Sequence, residues 1–191
     1  MNPSTGSGQA PVGYLHNTRQ GLKGERGIGY QFVMATNGLF VRAESPQLKA
    51  TVLVAPTEVG VRGLAPLEEG IELPFGKIPM KLWGSALRIF QHALPQERLL
   101  TIGNHGQVPG LYLTHRPEQE TTGTSVRYRP LDSQLFEVHS HGLLRAFFSG
   151  TDDADEQGFK IYGCVGLFEG RQEWKLRMGI YGYFAPLELD Q

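Results

Sequence analysis

The chain has a single cysteine, Cys164, among 191 residues. One thiol excludes an intrachain disulfide and any zinc knuckle built on paired Cys-x-x-Cys. It also excludes the zinc-deaminase pattern, which needs His-x-Glu and then Pro-Cys-x-x-Cys. Net charge is equally scarce. Eighteen Lys and Arg stand against 19 Asp and Glu, giving −1 with histidine neutral. No broad field therefore favours nucleic acid or an anionic membrane. No apolar run reaches the ~18 residues of a membrane-spanning helix. The opening "MNPSTGSGQAPVGYLHNTRQ" lacks the apolar core of a secretory signal. A cytoplasmic protein without nucleic-acid or membrane partners is expected. Internal repeats are absent. The glycines of "GLKGERGIG" make no phosphate loop, because no strand precedes them and no Gly-Lys-Ser/Thr follows.

Apolar material is present in quantity, at 40% of residues. That suits one domain with a small appendage, burying roughly 70% of its unfolded surface. Residues 1–28 are rich in Gly, Ser, Thr, Asn and Gln and are expected as a flexible leader. Residues 29–78 form a β-rich N-terminal part. There, "YQFVMATNGLFVRAE" reads as a hairpin around Asn37-Gly38, and "KATVLVAP" as a further strand. Gly and Pro break "TEVGVRGLAPLEEGIELPFGKIP" into short strands and turns.

"MKLWGSALRIFQHAL" is the clearest helix. Leu82, Trp83, Ala86, Leu87, Ile89, Phe90, Ala93 and Leu94 recur at three- and four-residue intervals, between Pro79 and Pro95. Strand-like runs follow in "ERLLTIG", "GLYLTHR", "SVRYRP" and "QLFEVHSH". A short acidic helix is expected around "TDDADEQ", then a hairpin-like pair in "FKIYGCVGLFEG" and "EWKLRMGIYGYFAP". The class is mixed α/β (α+β) with a mixed or largely antiparallel sheet.

The chemistry concentrates in "EVHSHGLLRAFFSGTD", residues 137–152. Alternate side chains of a strand share a face, so His139 and His141 project together and Ser140 points away. Two imidazoles on one rigid strand are half of a zinc site, and catalytic zinc takes three protein ligands. Asp152 lies eleven positions beyond His141, across a turn, where the acidic helix brings its carboxylate back. Plainer readings exist. Ser149 and Asp152 also fit a helix capping box, and the histidine pair also suits the polar face of an edge strand. Capping and ligation are compatible.

His139-Ser140-His141, seven residues, Ser149, two residues and Asp152 reproduce the signature H-[ST]-H-x7-S-x2-D. By these positions the chain resembles the JAMM (MPN+) metalloproteases, the JAB-domain isopeptidases, over roughly residues 80–185. Bacterial members often read Pro-x-Glu and then a Gly-containing apolar strand, as in Pro95-Gln96-Glu97 here. The resemblance implies a JAB/MPN-like domain over 79–191, a mixed β-sheet flanked by helices with cytidine deaminase-like architecture. It implies Zn2+ on His139, His141 and Asp152, with Glu97 as general base and Ser149 as oxyanion donor. The implied substrate is the C-terminal tail of a ubiquitin-like protein. Similarity to members of the bacterial PRTRC cassette adds a ThiF/E1-like enzyme as partner.

Gly142 replaces the family's usual Pro. Gly103 comes one residue early after Glu97. Glu58, Glu68, Glu69 and Glu72 compete for the glutamate role, although all precede the helix. Two other functions remain open: a non-catalytic or partner-activated MPN scaffold, and a small-molecule metallohydrolase. Cys164 reads as a core residue, and His16, His92, His105 and His115 as surface histidines. Asp153, Asp155 and Glu156 read as acids favouring the start of the short helix.

Overall fold

The computed structural model describes residues 12–104, 110–115, 120–121, 126–127, 134–167 and 170–188. The chain divides into two units, the first ending at Glu72 and the second starting at Leu73.

Unit 1 is a six-stranded sheet. Its strands are β1 (Val12–Thr18), β2 (Gly21–Glu25), β3 (Tyr30–Ala35), β4 (Gly38–Glu44), β5 (Lys49–Pro56) and β6 (Gly70–Glu72), in spatial order β2-β1-β3-β4-β5-β6. The hairpin expected at Asn37-Gly38 joins β3 to β4, with Ala35 opposite Gly38 and Thr36-Asn37 as the loop. Gly38 opens β4 at φ +154°, where a Cβ would lie 2.5 Å from the Ala55 carbonyl oxygen. Leu15, Val33, Ala35 and Phe40 form a buried core, packed by Leu22, Leu53 and Leu67. The Gly- and Pro-broken stretch after β5 yields only β6. Asn17 Nδ2 donates to the Pro66 carbonyl at 2.8 Å, and Asn37 Oδ1 accepts from Leu67 N at 2.9 Å.

The expected leader over 1–28 is corrected within the described residues, because β1 and β2 lie inside it. The supports are non-local. β1 pairs in parallel with β3, Leu15 enters the core, and Gly13 packs so tightly that a Cβ would stand 2.1 Å from Gly27 N. The boundary expected at 78/79 falls at 72/73.

Unit 2 opens with α1 (Met80–Ala93), one residue short of the expected helix. Then come β7 (Leu99–Gly103), β8 (Tyr112–His115), β9 (Glu120–Thr121), β10 (Val126–Arg127), β11 (Gln134–Ser140) and α2 (Gly150–Asp155). The last strands are β12 (Phe159–Gly166), β13 (Glu173–Ile180) and β14 (Tyr183–Leu187). β9 and β10 form a small ladder of their own, and the main sheet runs β14-β13-β12-β11-β7-β8. β11 and β12 are parallel, and the other pairs are antiparallel. The architecture is thus mixed α/β with two mixed sheets. "EWKLRMGIYGYFAP" proves to be two strands. Tyr181 and Gly182 both have positive φ, 49° and 91°, and form the two-residue turn that brings β14 back onto β13.

Alternation along β11 sends Phe136 and Val138 to one face and Glu137 and His139 to the other. α1 covers the first face, where Trp83 meets Phe136 and Trp174 edge-on at 4.9 and 5.2 Å. Ala86 and Phe90 are fully buried on the same helix. No described helix is long and apolar enough to cross a membrane.

Candidate metal centre

β11 is an interior strand between β7 and β12. The histidines are therefore not the polar face of an edge, and both are 6% exposed. Pairing continues past the strand, with His141 N donating to the Val165 carbonyl at 2.8 Å. Gly142 then takes φ +54° and the chain turns sharply away, a conformation open to glycine at little cost. Ser140 points to the opposite face, where its Oγ accepts from Arg98 N at 3.0 Å.

His139 Nε2 stands 3.0 Å from His141 Nε2 and 3.5 Å from Asp152 Oδ1. Around an ion bound at ~2.0–2.1 Å in tetrahedral geometry, donor atoms lie roughly 3.3 Å apart. His139 is shared by two groups of donor atoms that could each hold an ion, one with His141 and Cys164 and one with Asp152 and Glu156. Burial holds the His139 pKa well below the ordinary value; Asp152 opposes the shift, and His141 and Arg177 add to it. Burial also lowers His141, against Asp152 and the Arg145 backbone. Both rings are thus neutral at pH 7, with lone pairs available. For Asp152, burial raises the pKa, but His139, the Ser149 hydrogen bonds and His141 outweigh it and keep the carboxyl below its usual range. Two neutral imidazoles and one carboxylate stand together, a donor set that suits a metal ion.

α2 delivers Asp152 through its cap. Ser149 N and Ser149 Oγ donate to Asp152 Oδ2 at 2.6 and 2.7 Å, and Asp152 N donates back to Ser149 Oγ at 3.3 Å. The capping box is present, and the carboxylate that closes it also lies beside His139. One carboxylate oxygen is spent on the cap, and the other faces His139.

Glu97 lies between α1 and β7. Arg98 and Ser140 are joined by backbone bonding, with Ser140 N donating to the Arg98 carbonyl at 2.8 Å. Alternation then puts Glu97 on the face of Leu99, which pairs with His139. Burial, with Asp152 adding, pushes the Glu97 carboxyl up to about 7. The four rival glutamates all belong to unit 1 and are exposed. Glu69 and Glu72 are engaged there by Leu53 N and Lys49 Nζ, each at 2.8 Å.

Three features were not foreseen. Cys164 is buried as expected, but it lies opposite His139 in the parallel ladder, and its donor atom is within 4.8 Å of those of both histidines. Burial pushes its thiol up to about 12, so it is no free nucleophile. Glu156 does not favour a helix N-terminus. It is the C-cap of α2, buried, and forms a second donor group with His139 and Asp152. An acid at a helix C-terminus opposes the helix dipole, and that local conflict was a readable signal. Lys160 and Glu137, finally, pair at 2.9 Å inside apolar runs of β12 and β11.

His16 and His92 are exposed, and His92 Nδ1 faces its own helix at the Arg88 carbonyl, 2.7 Å away. His105 lies outside the described residues, and of His115 only its place in β8 is described. No protein-family model matches the chain, and no curated protein matches it.

Proposed function

We propose that the chain is a zinc-dependent peptidase or isopeptidase of JAMM type, with unit 2 as a JAB/MPN-like domain. The observation that carries the reading is the convergence of His141 Nε2 and Asp152 Oδ1 on His139 Nε2, at 3.0 and 3.5 Å. The order of parts supports it: helix, glutamate before a strand, histidine strand, then capped helix with aspartate. Zinc at this place would supply a water acidified toward pH ~7 and a Lewis acid for the scissile carbonyl.

The protein groups do the rest. His139, His141 and Asp152 would hold the ion. Glu97, with its near-neutral carboxyl, accepts the proton of the attacking water and returns it to the departing amine. Ser149 Oγ turns from Asp152 Oδ2 to donate to the developing oxyanion. Asp152 stays in place during that turn, because Ser149 N still holds Oδ2 at 2.6 Å.

Ser149→Ala is accordingly expected to retain the metal and to turn over tens to hundreds of times more slowly, as for one lost oxyanion donor. The lost cap costs about 1 kcal/mol, read as a modest drop in thermal midpoint. Wild-type turnover in Ser149→Ala would remove the serine from the mechanism.

The substrate we infer is the extended C-terminal tail of a ubiquitin-like protein, cut after its terminal glycine or released from a lysine. Among the described residues β8 ends the main sheet beside β7, the strand that follows Glu97. Such an edge can accept an added strand. The polar loop expected after β8 lies partly outside the described residues. A ThiF/E1-like enzyme fits as a partner that handles the same tail. The test is to incubate the protein with a ubiquitin-like protein encoded beside it, carrying a short C-terminal extension. Zinc-dependent cleavage after the glycine is expected. Cleavage of small amides alone would favour a small-molecule hydrolase, and zinc binding without any cleavage would favour a scaffold.

A further inference from the structure

The chain leaves the histidine strand at Gly142 and crosses to α2 through residues 142–148. Three large apolar side chains of this loop face solvent: Leu143 is 56% exposed, Leu144 45% and Phe147 47%. Exposed apolar residues scattered singly are ordinary, but these three fall within five positions and adjoin the candidate metal centre. The Phe147 ring stands edge-on to the His141 ring, with 4.4 Å between centroids. Arg145, the charged residue among them, is matched by Glu173 at 3.6 Å. The loop is also held in place. Leu144 N donates to the His141 carbonyl at 2.9 Å, Leu167 N to the Gly142 carbonyl at 3.2 Å, and Ala146 N to Glu173 Oε2 at 3.3 Å. Gly166 packs against it so closely that a Cβ would stand 2.4 Å from Ala146 N. An apolar surface already fixed by its backbone loses little further freedom when a ligand covers it.

The place of the loop says which ligand that is. Its partners are Gly166 at the end of β12, Leu167 just after it, and Glu173 at the start of β13. These strands lie on one side of β11 in the sheet, and β7 and β8 lie on the other. A tail added beside β8 reaches the ion from the β7 side. An extended chain leaves the ion on the side opposite to its arrival, so the part of the substrate beyond the scissile bond lies against residues 143–147.

We propose that Leu143, Leu144 and Phe147 form the subsite for the leaving side of the substrate, and that it takes an apolar residue at the first or second position after the scissile bond. The inference rests on the peptidase reading and on the docking of the tail at β8, and it names the chemistry of the half that leaves.

The test gives the zinc-loaded full chain the ubiquitin-like protein encoded beside it, with Phe-Leu, Ser-Asn or Asp-Glu added after the terminal glycine. The readout is the ratio of kcat/KM for Phe-Leu over Ser-Asn, which does not depend on the fraction of active enzyme. Wild type is expected to prefer Phe-Leu by roughly 10–100-fold, as for burial of one large apolar side chain. Leu143→Ser/Leu144→Ser and, separately, Phe147→Ser are expected to bring the ratio down toward about 1. Because the Phe147 ring touches His141, zinc content is measured in parallel, and the leucine pair decides if Phe147→Ser loses the metal. Equal rates on Phe-Leu and Ser-Asn in wild type, or faster cleavage of Asp-Glu, overturn the subsite and leave the peptidase reading intact. A preference that survives the double substitution also overturns it. A wild-type dimer that the double substitution splits, with the preference kept, assigns the surface to a second copy of the chain instead. Cleavage of none of the three overturns both.

Discussion

Glu97→Gln is expected to bind zinc like wild type and to hydrolyse the ubiquitin-like tail at least ~10²–10⁴-fold more slowly, the usual contribution of a positioned general base. Glutamine keeps the shape of the side chain and removes only the proton acceptor. Single-turnover assays on zinc-loaded protein, with metal content measured in parallel, check both halves. Near-normal turnover would assign the role to another group.

The same substitution carries a pH signature in metal-free protein. The Glu97 carboxyl is raised from its ordinary 4.5 to about 7, by burial first and Asp152 second. A group with a raised folded-state pKa contributes stability while protonated, and that contribution is lost as pH rises through the folded value. Wild type and Glu97→Gln should therefore differ little near pH 4.5. At pH 8 the variant should be the more stable, as read from thermal midpoints. A bound cation lowers the carboxyl pKa again, so the acid limb of the wild-type rate falls at or below pH 7.

On the proposed reading His139→Ala is expected to lose the metal outright, because both His141 and Asp152 are close to His139. Thermal melts with and without zinc make this visible. At a zinc concentration one hundred times Kd, binding stabilises the native state by about 2.7 kcal/mol, or several degrees for a domain of this size. Wild type should show that rise and His139→Ala none. Equal rises in the two proteins would place the ion elsewhere.

Local signals were legible wherever they were strong. β5 (Lys49–Pro56) matches "KATVLVAP" end to end, because a short alternating run is bounded by breakers. α1 was legible from its apolar spacing and flanking prolines. The Asn37-Gly38 hairpin was legible as well, although the glycine serves to clear Ala55 rather than to form the loop. The closeness of His141 and Asp152 to His139 followed from strand alternation and a cap, both local rules.

The rest depends on long-range pairing. β1 offers few inward apolar residues and is held by β3 and by the close approach of Gly13 to Gly27. Cys164 reaches the histidines only through the parallel register of β11 and β12. Arg177 meets Glu156 across 21 positions of chain. Spacing encodes none of these contacts. A charged residue inside an apolar strand, or an acid at a helix C-terminus, hints at a partner without naming it.

Zinc stoichiometry of the wild-type chain is the most direct measurement of the central claim, taken by elemental analysis after expression in zinc-replete medium and again after titration of the stripped protein. One zinc per chain, displaced by a chelator and restored on titration, is the expected result. A wild-type protein that contains no zinc and takes up none on titration would contradict the account.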